Sequence, residues 1–198
     1  MKIVYIILIL LFSGFVFSQI YIERSTSNTE EVEYVVLKRL QKGVEIRKYS
    51  KLIVACTQIP ADNYSNVSSQ GFRRIAGYIF GGNEKQESIA MTAPVQMSFS
   101  DTSEMMFYMP SKFTSINGLP TPNDKRVRIK ELGEREVAAI NFKGWANDKT
   151  INRQKEILVD ILNAEDIAYD PASFAYLGYN PPYQLSNRRN EIIVTLKK

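Results

Sequence analysis

Residues Gly71 to Phe99 read GFRRIAGYIFGGNEKQESIAMTAPVQMSF, and the period of the apolar residues changes part-way along. With Val67 just upstream, Gly71, Ile75, Tyr78 and Ile79 recur every three or four residues, which predicts a helix that stops at Gly81 and Gly82. Arg73 and Arg74 fall on its opposite, polar side. From Ile89 onward the pattern alternates. Ile89, Met91, Ala93, Val95, Met97 and Phe99 share one face, and Ala90, Thr92, Pro94, Gln96 and Ser98 the other, as in a half-buried strand. A helix therefore turns on a double glycine and feeds a strand.

Composition bounds what this unit belongs to. The chain has 198 residues, 44% of them hydrophobic, enough for one globular domain with a real core. Its net charge of +4 is spread along the sequence, leaving no basic block for nucleic acid. There is no histidine, which removes the commonest general base, zinc ligand and haem ligand together. Residues 1–18 carry Lys2 and an apolar run and read as a signal peptide cut before Gln19, or as a retained anchor. Beyond that segment no membrane span is expected. The single Cys56 forms no internal disulfide and reads as a small core residue.

Residues 19–31 read as a flexible leader, and residues 32–198 as a single domain. Runs from Tyr34 to Leu40, Val44 to Tyr49 and Leu52 to Ile59 predict three strands, and Asp62 or Asn63 caps the helix. Glu104 to Met109 returns as a strand, and Ser111 to Lys125, with Pro120 and Pro122, connects two halves. Arg126 to Leu132 and Glu136 to Phe142 are strands, Ile151 to Leu162 a helix, Phe174 to Tyr179 and Glu191 to Leu196 strands again. The order strand, strand, helix, strand, strand appears twice. The expected fold is α+β: a distorted eight-stranded antiparallel barrel built from two ββαββ halves, with two helices outside.

Several side chains carry chemistry. Met91, Met97, Met105, Met106 and Met109 cluster in one hairpin, where thioethers suit an apolar pocket or simply fill a core. Met105 and Met106 must point to opposite faces. Arg73 and Arg74 can receive carboxylates or form a solvated face. Near the C-terminus, Pro181 and Pro182 stiffen a loop bearing Tyr183 and Leu185, followed by Arg188 and Arg189. Arg188 or Arg189 can pair with Glu191, and Glu191 with Tyr179 is the one arrangement suggestive of catalysis.

FRRIAGYIFGGN at 72–83, IAMTAPV at 89–95, FYMPS at 107–111, LPTP at 119–122, GYNPP at 178–182 and RRNE at 188–191 together resemble the SOUL haem-binding protein family. The similarity runs from about Tyr34 to Lys198. It implies a distorted barrel of two similar halves, related to the effector-binding domains of bacterial regulators. It also implies a binding protein rather than an enzyme, whose ligand is haem or another porphyrin. By position, the cleft would lie between the helix and the loop after the Pro-Pro pair, formed by Phe72, Ile75, Ala76, Tyr183 and Leu185, with Arg73, Arg74 or Arg188 near the propionates. Two lysines of the haem-binding members align with Gly77 and Gln184, so the resemblance implies a ligand held mainly by apolar contact without histidine. A module for another apolar ligand or a protein partner, and a hydrolase on the same scaffold, stand as alternatives.

Overall fold

A computed structural model of the chain describes residues 2–60, 63–99 and 102–197. In order they form α1 (Lys2–Ser27), β1 (Glu30–Glu31), β2 (Val35–Arg39), β3 (Glu45–Tyr49), β4 (Leu52–Ile59), α2 (Tyr64–Ile79), β5 (Thr92–Ala93), β6 (Val95–Ser98), β7 (Ser103–Tyr108), β8 (Val127–Leu132), β9 (Arg135–Lys143), α3 (Asp148–Ala164), β10 (Ala175–Gly178) and β11 (Arg189–Thr195). Asn63 caps α2, its side chain accepting from the Asn66 N–H. Asp62, the other candidate cap, lies outside the described residues. Gly81, at φ +100°, turns the chain out of the helix, and the Gly82 N–H closes its end by donating to the Gly77 carbonyl at 2.8 Å, so closely that a Cβ on Gly82 would sit 2.5 Å from that oxygen.

Nine strands make one antiparallel sheet in the order β2-β3-β9-β11-β10-β6-β7-β4-β8. The first half contributes β3, β4, β6 and β7 around α2; the second contributes β8, β9, β10 and β11 around α3. The order is then the same read outward from either side of the β6–β10 pair, with β2 added at one edge. The repeat is therefore a pseudo-twofold. The expected α+β fold with a distorted antiparallel barrel is what forms, as a curled half-barrel of nine strands. Its outer strands β2 and β8 do not pair with each other, because the Tyr34 to Leu40 run extends one edge rather than closing the ring.

Strand alternation gives the sheet two buried faces. On one, Ile53, Met105, Phe107, Ile140 and Ile192 pack against Ile75 and Ile79 of α2 and Leu158 and Leu162 of α3. Gly71 lets α2 approach closely, since a Cβ would meet the Met105 Cβ at 2.8 Å. On the other face lie Tyr49, Val137, Leu177 and Ile193, with Val54, Cys56, Met106 and Tyr108 beside them. Met105 and Met106 thus do face apart. Burial pushes the Cys56 thiol up to about 11, which fits an inert core residue.

Two expectations change. The stretch from Ile89 to Phe99 is not one strand: it breaks at Pro94, which has no N–H for the ladder and follows a cis peptide bond, leaving β5 and β6. Met91 is consequently exposed, and Ala93 joins the second face. Residues 19–31, expected to be a flexible leader, continue α1 to Ser27 and then form β1, parallel to β5. Gln19, Ile22, Glu23 and Thr26, three or four residues apart, are the partly buried stripe that holds this helix to the body. Val4–Thr26, with a mean hydropathy of 2.1, is long and apolar enough to cross a membrane.

Candidate ligand-binding site

The sequence places the site on α2, and the register of the helix decides which residues can take part. Ile75 is sealed in the core and Ala76 nearly so. Phe72, Ala76 and Phe80 stack at spacings of four, spanning about 12 Å along the helix. Phe72 is 36% and Phe80 64% exposed, so they stand proud of Ala76 at either end of a shallow apolar row. The Phe72 ring is anchored beneath by Phe107, centroids 5.6 Å apart. Gly77 flanks the row, and a Cβ added there would meet nothing within 4 Å. Arg73 is exposed beside it, and no hydrogen bond or ion pair engages it among the described residues. Arg74 is committed elsewhere, its Nη1 donating to the Gln58 carbonyl at 2.9 Å.

The Pro-Pro loop carries the other expected residues. Tyr183 and Leu185 are exposed, and the Leu185 N–H donates to Gln19 Oε1 of α1 at 3.1 Å. Arg188 is buried within the loop: its Nη1 donates to the carbonyls of Pro181 (2.9 Å) and Gln184 (2.6 Å), and its guanidinium lies 4.3 Å from the Trp145 ring centroid. Arg188 therefore shapes the loop rather than waiting for a carboxylate. Between the loop, the end of β9 and α1 lies a polar cleft of about 570 Å³, lined in part by Tyr179, Gln184, Lys143 and Glu23. The loop's tie to α2 runs through the start of that helix, where the Tyr64 N–H donates to Asp148 Oδ1 at 2.8 Å, three residues after Trp145. Phe72 and Phe80 lie about 12 and 24 Å further along the helix axis. No hydrogen bond or ring contact joins them to Tyr183 or Leu185 among the described residues.

Glu191 has a different role from the one its sequence neighbours suggest. Its carboxylate is fully buried and accepts from Arg47 Nη1 (2.7 Å) and Nη2 (3.2 Å), from Arg189 Nη2 (3.0 Å) and from the Tyr179 hydroxyl (3.0 Å). Burial pushes the carboxyl up, but the Arg47 hydrogen bond and the two cationic charges outweigh it and hold its pKa below the usual range. Burial and the adjacent carboxylate push the Tyr179 hydroxyl well above its ordinary value. A carboxylate that stays ionised and a phenol that stays protonated exchange no proton near neutrality. Arg189 makes the Glu191 pair anticipated from sequence; Arg188 does not.

A family model, the SOUL heme-binding protein, matches residues 29–195. The chain belongs to the SOUL haem-binding protein family. Mouse heme-binding protein 2 is 30% identical to it over 156 residues, covering 75% of each chain. Heme-binding protein 1 of Xenopus laevis is 26% identical over 168 residues, covering 80% of this chain and 87% of the relative. The SOUL fold itself extends further. The C-terminal domain of EcmrR superimposes with a TM-score of 0.60 at 9% identity, over 80% of this chain and 99% of that one. A hydrolase from Listeria innocua superimposes with a TM-score of 0.56 at 9% identity, over 81% and 94%. At such identities only the architecture is shared.

Three contributors escape the sequence reading. Phe80 sits one residue past the helix and completes the row. Arg47 is distant in sequence from Glu191, so nothing local marks the pair. Trp145 stacks on Arg188 through an equally long-range contact. Only the alternation of strand β3 could have hinted that Arg47 points inward.

Proposed function

We propose that this SOUL protein is an exported tetrapyrrole-binding protein, not an enzyme, and that α2 carries the ligand. The supporting observation is the Phe72–Ala76–Phe80 row with the unengaged Arg73 beside it, on a chain whose family is defined by haem binding. A flat apolar ring bearing carboxylates matches that surface: the row shields its face from water and the guanidinium receives a propionate. Haem bound there would supply its own iron chemistry; the chain supplies burial and charge. Its donors fit a ring better than an iron atom. There is no histidine, Cys56 is sealed, and Met97, Met105, Met106 and Met109 are all buried, leaving Met91 as the exposed thioether of the five. The N-terminal apolar helix serves as signal or anchor for export.

The test is titration of the protein with haemin and with a metal-free porphyrin. Saturable spectral changes with both, of similar affinity, are expected when apolar contact dominates. No saturable change with either overturns the reading. A response to haemin alone shows that the iron, not the ring, is held.

A further inference from the structure

The Pro-Pro loop, left over once the ligand is assigned to α2, is tied to the one segment of the chain made for lipid. Gln19 Oε1 accepts from the Leu185 N–H, and Asn187 Nδ2 donates to Glu23 Oε1 at 2.9 Å, so the last two turns of α1 are fastened to the loop. The preceding residues from Val4 to Ser18 project from the body, Ser13 alone being partly covered. Beside the attachment three large side chains face outward: Trp145 at 54%, Tyr183 at 62% and Leu185 at 49% exposure. Arg188 binds them into one unit, since a single guanidinium stacks on Trp145 and ties the carbonyls flanking Tyr183. The loop is stiffened by Pro181 and Pro182 and so presents these groups without much loss of freedom.

Length fixes where this unit must sit. A bilayer core of about 30 Å needs about 20 helical residues at 1.5 Å each. Taken from Ile3 to Ile22, the apolar run of α1 has that length. Gln19 then lies within one turn of the hydrocarbon boundary, and it is bonded to Leu185. Tryptophan and tyrosine are the side chains that favour this boundary, an apolar ring body with one polar handle. Lys143 and Arg24 both line the adjacent cleft, and such cations are attracted to anionic headgroups.

We propose that α1 stays on the chain as an anchor and that Trp145, Tyr183 and Leu185 form a face resting on the bilayer surface. The body then lies against the membrane instead of hanging from a tether. This goes beyond ligand binding and does not rest on it.

Trp145 is the sole tryptophan of the chain, so its fluorescence reports on this face alone. The full-length protein is reconstituted into nanodiscs of mixed zwitterionic and anionic phospholipid, without porphyrin. Lipids brominated near the headgroup end of the acyl chain are expected to quench most of the Trp145 emission, and aqueous iodide to quench little. The doubly substituted Tyr183→Ser, Leu185→Ser protein is expected to regain iodide quenching while its unfolding midpoint stays unchanged, both side chains being exposed. Trp145 emission untouched by brominated lipid and fully open to iodide overturns the proposal. So does recovery from the native membrane of a chain beginning at Gln19.

Discussion

The two halves of the sheet repeat one ion pair, sealed in one and half-buried in the other. In one case Arg47 on β3 reaches across β9 to Glu191 on β11. In the other Lys130 on β8 reaches across β4 to Glu104 on β7 at 2.7 Å. The spacing is the same: the partners register with Val137 and Asn141 on β9, and with Val54 and Gln58 on β4. The pseudo-twofold thus relates charges as well as strands. Yet Arg47 and Glu191 are sealed, at 5% and 0% side-chain exposure, while Lys130 and Glu104 are half-buried, at 38% and 14%. The difference comes from what lies on top. The segment from Glu30 to Tyr34 crosses the first pair, with the Tyr34 ring 4.1 Å from the Arg47 guanidinium and Glu31 paired to Arg189. Nothing comparable covers the second among the described residues.

The helices differ in the same way. On its outer surface α2 presents Phe72 and Gly77, with Phe80 just past its end, among the exposed polar residues Ser65, Asn66, Ser69, Gln70 and Arg73, whereas α3 presents only polar ones there, Asn152, Arg153, Glu156 and Asp160. One scaffold unit has a fully solvated helix and the other a helix whose polar outer face is interrupted by a short apolar row. A repeated architecture therefore does not imply a repeated site.

The largest expected effect comes from breaking the sealed pair. Arg47→Met leaves Glu191 buried with half its partners gone and should cost about 3–5 kcal/mol in urea unfolding. Lys130→Met, at the equivalent half-buried pair whose lysine reaches solvent, should cost about 1 kcal/mol. Equal losses would show that burial does not separate the two. Next comes helix packing: Gly71→Ala drives a methyl group into Met105 and should cost about 1–3 kcal/mol, read by thermal unfolding.

The pH dependence sharpens the contrast further. Because the folded protein holds Glu191 below its unfolded value of about 4.3, its contribution is complete above that pH and disappears as pH falls through the lower, folded value. Unfolding midpoints measured down the acid limb should fall for the wild type. In Glu191→Gln the limb should be flatter, from a lower starting stability. A limb of unchanged slope would show that other carboxylates set it.

Much of this was legible in the sequence and some could not be. The change of period at Gly81-Gly82 located α2, and the twofold order of elements anticipated the pseudo-symmetry. Periodicity is local, and local patterns survive into the fold. How far the curled sheet closes depends on how its two edge strands meet, which no run of residues encodes. Ile75 was assigned to the ligand although its place in the apolar stripe already marked it as core. The contact of Leu185 with Gln19 of α1 crosses more than half the chain, so no local pattern announces it. Arg47 and Glu191 share no sequence signal at all.

The comparison of the two helices rests on the claim that α2 binds the ring, and Gly77 tests it most directly. The site is open, so Gly77→Lys and Gly77→Glu both fold, each gaining helix propensity worth about 0.5–1 kcal/mol over glycine. They place opposite charges beside the Phe72–Ala76–Phe80 row. Haemin affinity should rise several-fold in Gly77→Lys and fall in Gly77→Glu, while the same changes at Asn152 on α3 leave it unaltered. Identical affinities for both Gly77 variants and the wild type would contradict a ligand on this helix.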